Sequence, residues 1–265
     1  DFVDIHLRAG ATIPPLCSPA MARTYNINKS LFKQHFRIAP TTQTPATSSS
    51  PLDSGLYAPI ALVANSRTVP FVSLHAGPEA SSSTPVIAVS HLPSFSKHFK
   101  LGLASQPPEL LASVEGAKSH IGGDMVWEEL RMDTSNGSRH SWSMILPSGD
   151  EGDGVYEDRG RSVHRRTFVW KRTHAVAVDG MNIAPLSTRN WKLVEHLAAD
   201  SAPDAGGRPD SAGEAHEDKT APVLAVFTTS TKRGRCGVLQ INVNYGGQFD
   251  TILLMALLTL YCSGR

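Results

Sequence analysis

The sequence has too few cysteines for a disulfide framework or a cysteine-based zinc site. Only 3 of its 265 residues are cysteine, and Cys17, Cys236 and Cys262 have neither the number nor the spacing that such features require. The continuous apolar stretch of a secretion signal is also missing, because prolines interrupt residues 11–20. These absences favour a reducing compartment, and we expect an intracellular, cytoplasmic protein.

Motifs of catalysis and of cofactor binding are missing as well. The chain contains no G-x-S-x-G elbow, P-loop, dinucleotide fingerprint or H-E-x-x-H zinc motif. Cys236 follows Lys232, Arg233 and Arg235, and neighbouring cations lower the pKa of a thiol. The alternative, which we favour, is a solvated turn with Gly234 at its tip. We therefore expect no catalytic residue and no cofactor.

The chain also lacks a surplus of charge of one sign. Its 25 Lys and Arg against 24 Asp and Glu give a formal net charge of +1, whereas a dedicated nucleic-acid binder carries a strong basic surplus. The 11 histidines are scattered without metal-ligand spacing, and the acidic run at 150–154 lacks the ligand pattern of an EF-hand. We expect neither a nucleic-acid partner nor a metal site.

Short segments with the composition of β-strands fill most of the chain after residue 56. Nine of them are rich in β-branched and aromatic residues, with turn residues and no helical pattern between them. They lie at residues 69–75, 85–92, 99–105, 125–132, 140–146, 167–178, 190–197, 222–230 and 238–245. The Asn136-Gly137 step predicts a hairpin between two of them. Alternation along the strands assigns large side chains to the core: Trp142, Phe168, Trp170, Trp191 and Ile241.

The first part of the chain and two later insertions differ in composition. Residues 1–55 include a Ser-, Thr- and Pro-rich run at 41–51, which has too little apolar surface to offset its ordering entropy. The insertions are rich in Gly, Asp and Pro. We predict a disordered segment over 1–55 and one domain over 56–265, with flexible insertions at about 148–162 and 199–220.

Residues 249–262 are apolar on every face of the helix that they would form. A helix of this kind must be enclosed by protein or by lipid, and at about 21 Å it is shorter than the roughly 30 Å hydrocarbon core of a bilayer. We expect a buried helix with Leu253, Leu254 and Leu257 in the core and Asp250 capping its start. Enclosing a helix requires more than eight strands. The predicted fold is mainly β: a roughly twelve-stranded antiparallel barrel closed around this C-terminal helix.

The order of several segments resembles a known group of proteins. WKRTH at 170–174, RNWKLVE at 189–195, LAVF at 224–227 and GVLQINVNYGGQFD at 237–250, followed by the apolar helix, resemble an uncharacterised fungal group. That group is similar to the tubby C-terminal domain and its LURP-one and phospholipid-scramblase-like relatives. The resemblance implies a twelve-stranded barrel over about residues 60–265. The insertion at 199–220 and the lower strand count depart from it.

A group of basic residues is the most function-like feature of the sequence. We expect Arg165, Arg166, Lys171, Arg172 and Lys192 to form a cationic surface for the headgroups of anionic phospholipids. The resemblance implies phosphoinositide binding, as in some relatives, without a residue-by-residue match to their headgroup sites. The alternative for these residues is a solvated strand edge that balances the acidic stretch 150–158.

The expected function is that of a non-enzymatic module that binds lipid headgroups at a membrane surface or binds a protein partner. Two alternatives stay open. One is a hydrolase or transferase whose site is built from the long loops, and the other is a scramblase-like or tail-anchored membrane protein that uses 249–262 as its anchor.

Overall fold

The computed structural model of the protein describes residues 22–30, 35–41, 60–63, 71–77, 84–105, 125–146, 164–182, 189–196, 221–232 and 234–264. Within these ranges the chain forms twelve β-strands followed by one α-helix. The strands are β1 (Arg23–Lys29), β2 (His35–Pro40), β3 (Ile60–Val63), β4 (Val72–His75), β5 (Val86–His91), β6 (Phe99–Ala104), β7 (Met125–Met132), β8 (Arg139–Leu146), β9 (His164–Arg172), β10 (Trp191–His196), β11 (Val223–Thr229) and β12 (Arg235–Ile241). The helix is α1 (Gly247–Ser263).

The strands form one antiparallel sheet in which consecutive strands are neighbours. The first strand pairs with the last as well as with the second, so the strand order is that of a closed barrel. Tyr25 lies opposite Leu239, and Ile27 lies opposite Ile38. The prediction of a mainly β chain with antiparallel strands and one apolar C-terminal helix is confirmed.

The prediction that residues 1–55 are disordered is wrong for 22–30 and 35–41, which contain β1 and β2. Tyr25 and Ile27 on β1, and Phe36 and Ile38 on β2, alternate with polar residues and are all buried. Each strand carries only two large apolar residues on one face, so the signal is too short to stand out from its polar surroundings. The other residues of 1–55, and the insertions 148–162 and 199–220, lie outside the described residues.

The helix α1 extends beyond the predicted 249–262 at both ends, and its residues 249–260 are all buried. The ring of Phe249 contacts Trp142 and Phe168 at centroid distances of 5.9 and 5.0 Å. Near the other end of the helix, the ring of Tyr261 lies 6.0 Å from Phe36 and 5.9 Å from Phe227. The helix thus packs against strands far apart in the sheet order. Every residue that the sequence assigned to the core is buried.

The start of α1 differs from the expectation. Asp250 does not cap the helix, because the N-cap position is Gly246, with φ 90° and no side-chain cap. The fully buried carboxylate of Asp250 instead pairs with the guanidinium of Arg23 on β1. Arg23 also donates a hydrogen bond of 2.7 Å to the carbonyl of Val243. One ion pair therefore joins the first strand to the first turn of the helix.

A smaller apolar cluster lies outside the closed sheet. β9 ends at Arg172, so the predicted strand 167–178 is too long, and the segment after it covers β11 and β12. Val178 packs there against Val226 and Val238, and its N–H donates to the Thr228 hydroxyl at 2.9 Å. This cover explains why 223–227 is apolar on both faces.

In the part of the chain that the structure describes, no helix has the length and hydropathy needed to cross a membrane.

We predict that deleting residues 1–41 prevents folding, although the composition of the sequence predicts a disordered segment over 1–55. The deletion removes β1 and β2 and exposes the edges of β12 and β3. Loss of four large buried side chains, at roughly 1.5–3 kcal/mol each, is comparable with the whole stability of a domain, about 5–15 kcal/mol. Soluble yield and resistance to proteolysis measure the effect. Deletion of residues 1–21, which keeps all twelve strands, is the matched control, and a protease-resistant product from the longer deletion would contradict the closed strand order.

A second prediction concerns the pH dependence of stability. Burial raises the pKa of Asp250 from 3.8 to about 6, although the guanidinium of Arg23 acts to lower it. Between about pH 4 and 6 the folded protein therefore holds a proton that the unfolded chain has released. The contribution of this group to the free energy of unfolding falls by about 3 kcal/mol as the pH rises through that window, and is constant above it.

Urea unfolding at a series of pH values tests this prediction. Asp250→Asn should flatten the curve between about pH 4 and 6, because the variant has no carboxyl group at this position to bind the proton. An Asp250→Asn protein that keeps the pH dependence of the parent would contradict the assignment.

Candidate functional site at the carboxyl rim

The closed sheet has two ends, and they differ in their connections. Because the strands alternate in direction, the turns 92–98, 133–138 and 230–234 lie at one end, together with the last residues of α1. We call this end the carboxyl rim. The opposite end, where α1 begins, is the amino rim.

A cleft of about 550 Å³ opens at the carboxyl rim. Two hairpin turns, the end of β9 and the end of the helix contribute to its walls. The lining residues are Lys97, Met132, Ser135, Asn136, Gly137, Arg172 and Gly264.

Arg172 is the best-anchored cation of this cleft. Its backbone N–H donates to the carbonyl of Ser138 at 2.9 Å, and its guanidinium carbon lies 5.3 Å from the ring centroid of Trp191. Among the described residues its buried Nε has no hydrogen-bond acceptor. Arg23 and Arg235 share this feature, so it is the position of Arg172 in the wall of the cleft that sets it apart. A guanidinium in that position can donate to an oxyanion.

The hairpin 133–138 places polar groups beside Arg172. Gly137 has φ 65°, which only glycine adopts without strain, so the hairpin predicted from Asn136-Gly137 is confirmed. The hydroxyl of Thr134 accepts from the N–H groups of Ser138 and Arg139, each at 3.1 Å. Asn136 uses its Oδ1 within the turn, accepting from Ser138 at 3.0 Å. Its Nδ2 amide is the side-chain group suited to donate to an anion.

The turn 92–98 is tied to the same hairpin. The N–H of Met132 donates to His98 Nδ1 at 3.0 Å, and the N–H of His98 donates to the hydroxyl of Ser96 at 2.9 Å. These bonds hold the backbone next to Lys97 against the end of β7. Hydrogen bonds therefore fix the backbone at or next to both cations of the cleft, Lys97 and Arg172.

Further cations surround the end of α1, whose last turn contains no basic residue. The ammonium of Lys29 lies 5.9 Å from the Phe36 ring, and the guanidinium of Arg189 lies 5.2 Å from the Tyr261 ring. The carbonyl end of a helix carries partial negative charge. Cations on the surrounding strands and loops, rather than on the helix itself, thus offset the charge of its end.

The structure distributes the five basic residues of the predicted cationic surface over two faces of the sheet and along the length of β9. Arg165 and Arg172 lie about 23 Å apart along β9, at 3.3 Å per residue. The alternation of side chains along a strand separates the group further. Lys171 lies opposite Lys192 on one face of the sheet, whereas Arg172 lies opposite the buried Trp191 on the inner face. Neighbours in sequence therefore reach different faces and different rims, and of the five residues only Arg172 lines the cleft.

The two arginines near the amino rim form ion pairs with carboxylates. Arg165 bonds to Glu128 of β7. Arg166 has its Nε 3.7 Å from Glu195 and its guanidinium carbon 5.4 Å from the ring centroid of Tyr245. Burial raises the pKa of Glu128, and Arg165 acts to lower it. These contacts are structural ion pairs at the end of the sheet opposite the cleft.

Sequence patterns missed Lys97 and the polar role of Asn136. Lys97 stands in a turn without a motif, so no local signal marked it. The Asn136-Gly137 step identified the turn, but its proximity to Arg172 depends on the pairing of β8 with β9, which places Arg139 opposite Lys171. That pairing joins segments separated by an insertion and cannot be read locally.

The interpretation of Cys236 as an activated thiol is wrong. The residue is buried, and burial raises the pKa of its thiol despite Lys29 and Arg189 nearby. The preferred interpretation, a turn before β12, is confirmed by Gly234 at φ 80° and a 3.1 Å bond from the Arg235 N–H to the Lys232 carbonyl. Across the described ranges, no three His, Cys, Asp or Glu residues are grouped so as to hold a metal ion.

Comparisons with known proteins identified no relative of the chain. A scan against protein-family models, a search of curated proteins and a search of solved structures each gave no match to the chain.

Proposed function

We propose that the protein is a non-enzymatic module that binds the phosphate-bearing headgroups of anionic phospholipids, phosphoinositides included, in the cleft at the carboxyl rim. The observation that carries this proposal is Arg172, which stacks on Trp191 and lines a cleft shared with Lys97 and Asn136. The proposal replaces the dispersed cationic surface with one anchored site.

The chemistry of the cleft suits a phosphate group. A guanidinium presents its N–H donors in a planar fork that matches two phosphate oxygens, while a lysine ammonium adds a point charge. The acidic residue of the hairpin, Asp133, lies 3.5 Å from Arg139 and accepts from Ser141 at 2.8 Å. Its charge is therefore partly offset, which reduces its repulsion of an anion in the cleft.

The proposal extends to the fold. We propose that the closed sheet with α1 inside is a tubby-like barrel, as the resemblance of residues 170–174, 189–195, 224–227 and 237–250 implies. The cyclic order of twelve antiparallel strands and the burial of α1 support it. In this proposal the module acts at the cytoplasmic face of a membrane.

Titration calorimetry with soluble inositol phosphates tests the site directly. Arg172→Gln should weaken binding by about tenfold or more, because a charge-assisted hydrogen bond contributes about 1.5–3 kcal/mol. Arg172→Lys should lose part of this affinity, since it keeps the charge but not the fork. Binding should also weaken as salt is added.

Arg165→Gln is the matched control, because it changes the same residue type at the opposite end of the same strand. Melting curves must accompany the titrations, since Arg172 also stacks on Trp191. Equal binding by the parent and a folded Arg172→Gln protein would contradict the proposal, and so would equal losses in the two Gln variants.

A further inference from the structure

Phe95, in the turn between β5 and β6, is fully exposed. Its backbone has φ 63°, and it is the one residue other than glycine with positive φ among the described residues. A bulky side chain in the left-handed region costs free energy relative to glycine or asparagine. The turn therefore carries both an unfavourable backbone and an unburied aromatic ring.

Hydrogen bonds brace the backbone of the turn that carries Phe95. The N–H of Ser96 donates to the Pro93 carbonyl at 3.1 Å, and the Ser96 hydroxyl donates to the carbonyl of His98 at 3.0 Å. His98 in turn accepts from the N–H of Met132, which fixes the turn to the end of β7. These bonds present the Phe95 ring outward and leave it no apolar surface of the sheet to cover.

Two lysines follow Phe95 within five residues of the chain. Lys97 lines the cleft two residues later, and the exposed Lys100 follows near the start of β6. The other large apolar residues that the structure shows as exposed, Val126, Trp127 and Ile145, lie on β7 and β8 near the amino rim. Among these exposed residues, Phe95 is therefore the one at the carboxyl rim, and it is followed closely in sequence by two lysines.

We infer that Phe95 inserts into the interface of an anionic membrane and turns the carboxyl rim toward the lipid. The inference rests on the proposed function, because the membrane would bring its headgroups to the cleft. A protein interface of ordinary size is centred on an extended, well-packed apolar patch. One projecting aromatic ring flanked by lysines has instead the composition of an interfacial membrane anchor, in which the ring enters the headgroup boundary and the cations attract anionic lipid.

Co-sedimentation of the full chain with vesicles tests the inference. The vesicles are phosphatidylcholine alone, or phosphatidylcholine with phosphatidylserine and a phosphoinositide. Phe95→Ser should lower partitioning onto the anionic vesicles by about tenfold, the size expected for losing the burial of one aromatic ring. Phe95→Trp should restore it, because Trp is favoured at membrane interfaces.

Ile145→Ser is the matched control, since it removes an exposed apolar side chain far from the carboxyl rim and should leave partitioning unchanged. Titration of each variant with soluble inositol phosphates separates this inference from the proposed function. Phe95→Ser should bind them like the parent, because the ring itself does not line the cleft.

The outcomes are distinguishable. Loss of vesicle binding in Phe95→Ser with unchanged binding of inositol phosphates supports insertion. Unchanged vesicle binding in Phe95→Ser overturns the insertion while the headgroup site stands. Equal losses in Phe95→Ser and Ile145→Ser overturn it in favour of a general surface effect. A parent protein that binds neither anionic vesicles nor inositol phosphates overturns both proposals, and a protein partner then becomes the explanation for the exposed ring.

Discussion

The burial of α1 on every face is the constraint on which the rest of the structure depends. Its residues 249–260 are all buried, and the hydroxyl of its Thr259 bonds to the carbonyl of Met255 at 2.7 Å within the helix itself. Such a helix offers no polar stripe to water, so protein must surround it. An antiparallel sheet of twelve strands in a closed order does this, and the closed order also pairs the strand edges that would otherwise promote aggregation.

The two ends of the helix give the two rims their different chemistry. At the amino rim, the buried carboxylate of Asp250 pairs with the partly exposed guanidinium of Arg23 and joins β1 to α1. At the carboxyl rim, cations of the surrounding strands and loops face a helix end without basic residues of its own. The charged groups Arg23 and Asp250 at the amino rim pair with each other. Arg172 at the carboxyl rim instead lines an open cleft. The proposed headgroup site and Phe95 both lie at the second of these rims.

The sequence predicted those features that depend on local pattern. Alternation identified the inward aromatics of β8 and β9, and the uninterrupted apolar run identified the helix. β1 and β2 were missed because each shows only two large apolar residues between polar ones, and their stability comes from pairing with β12 and β3, far away in sequence. The predicted cationic surface groups residues that are adjacent in sequence, whereas a strand sends neighbouring side chains to opposite faces. The cleft needs Lys97, Asn136 and Arg172 from three separate segments, and no local pattern relates them.

The central claim is that α1 is the core of the closed sheet, and removal of the helix tests it most directly. Urea unfolding of a chain truncated after Gly247, followed by tryptophan fluorescence, is the decisive measurement. We predict no cooperative transition, because the truncation removes the helix against which the buried side chains of Trp142, Phe168 and Trp170 pack in the core. A truncated protein that is soluble and unfolds cooperatively, with a midpoint near that of the full chain, would contradict the account.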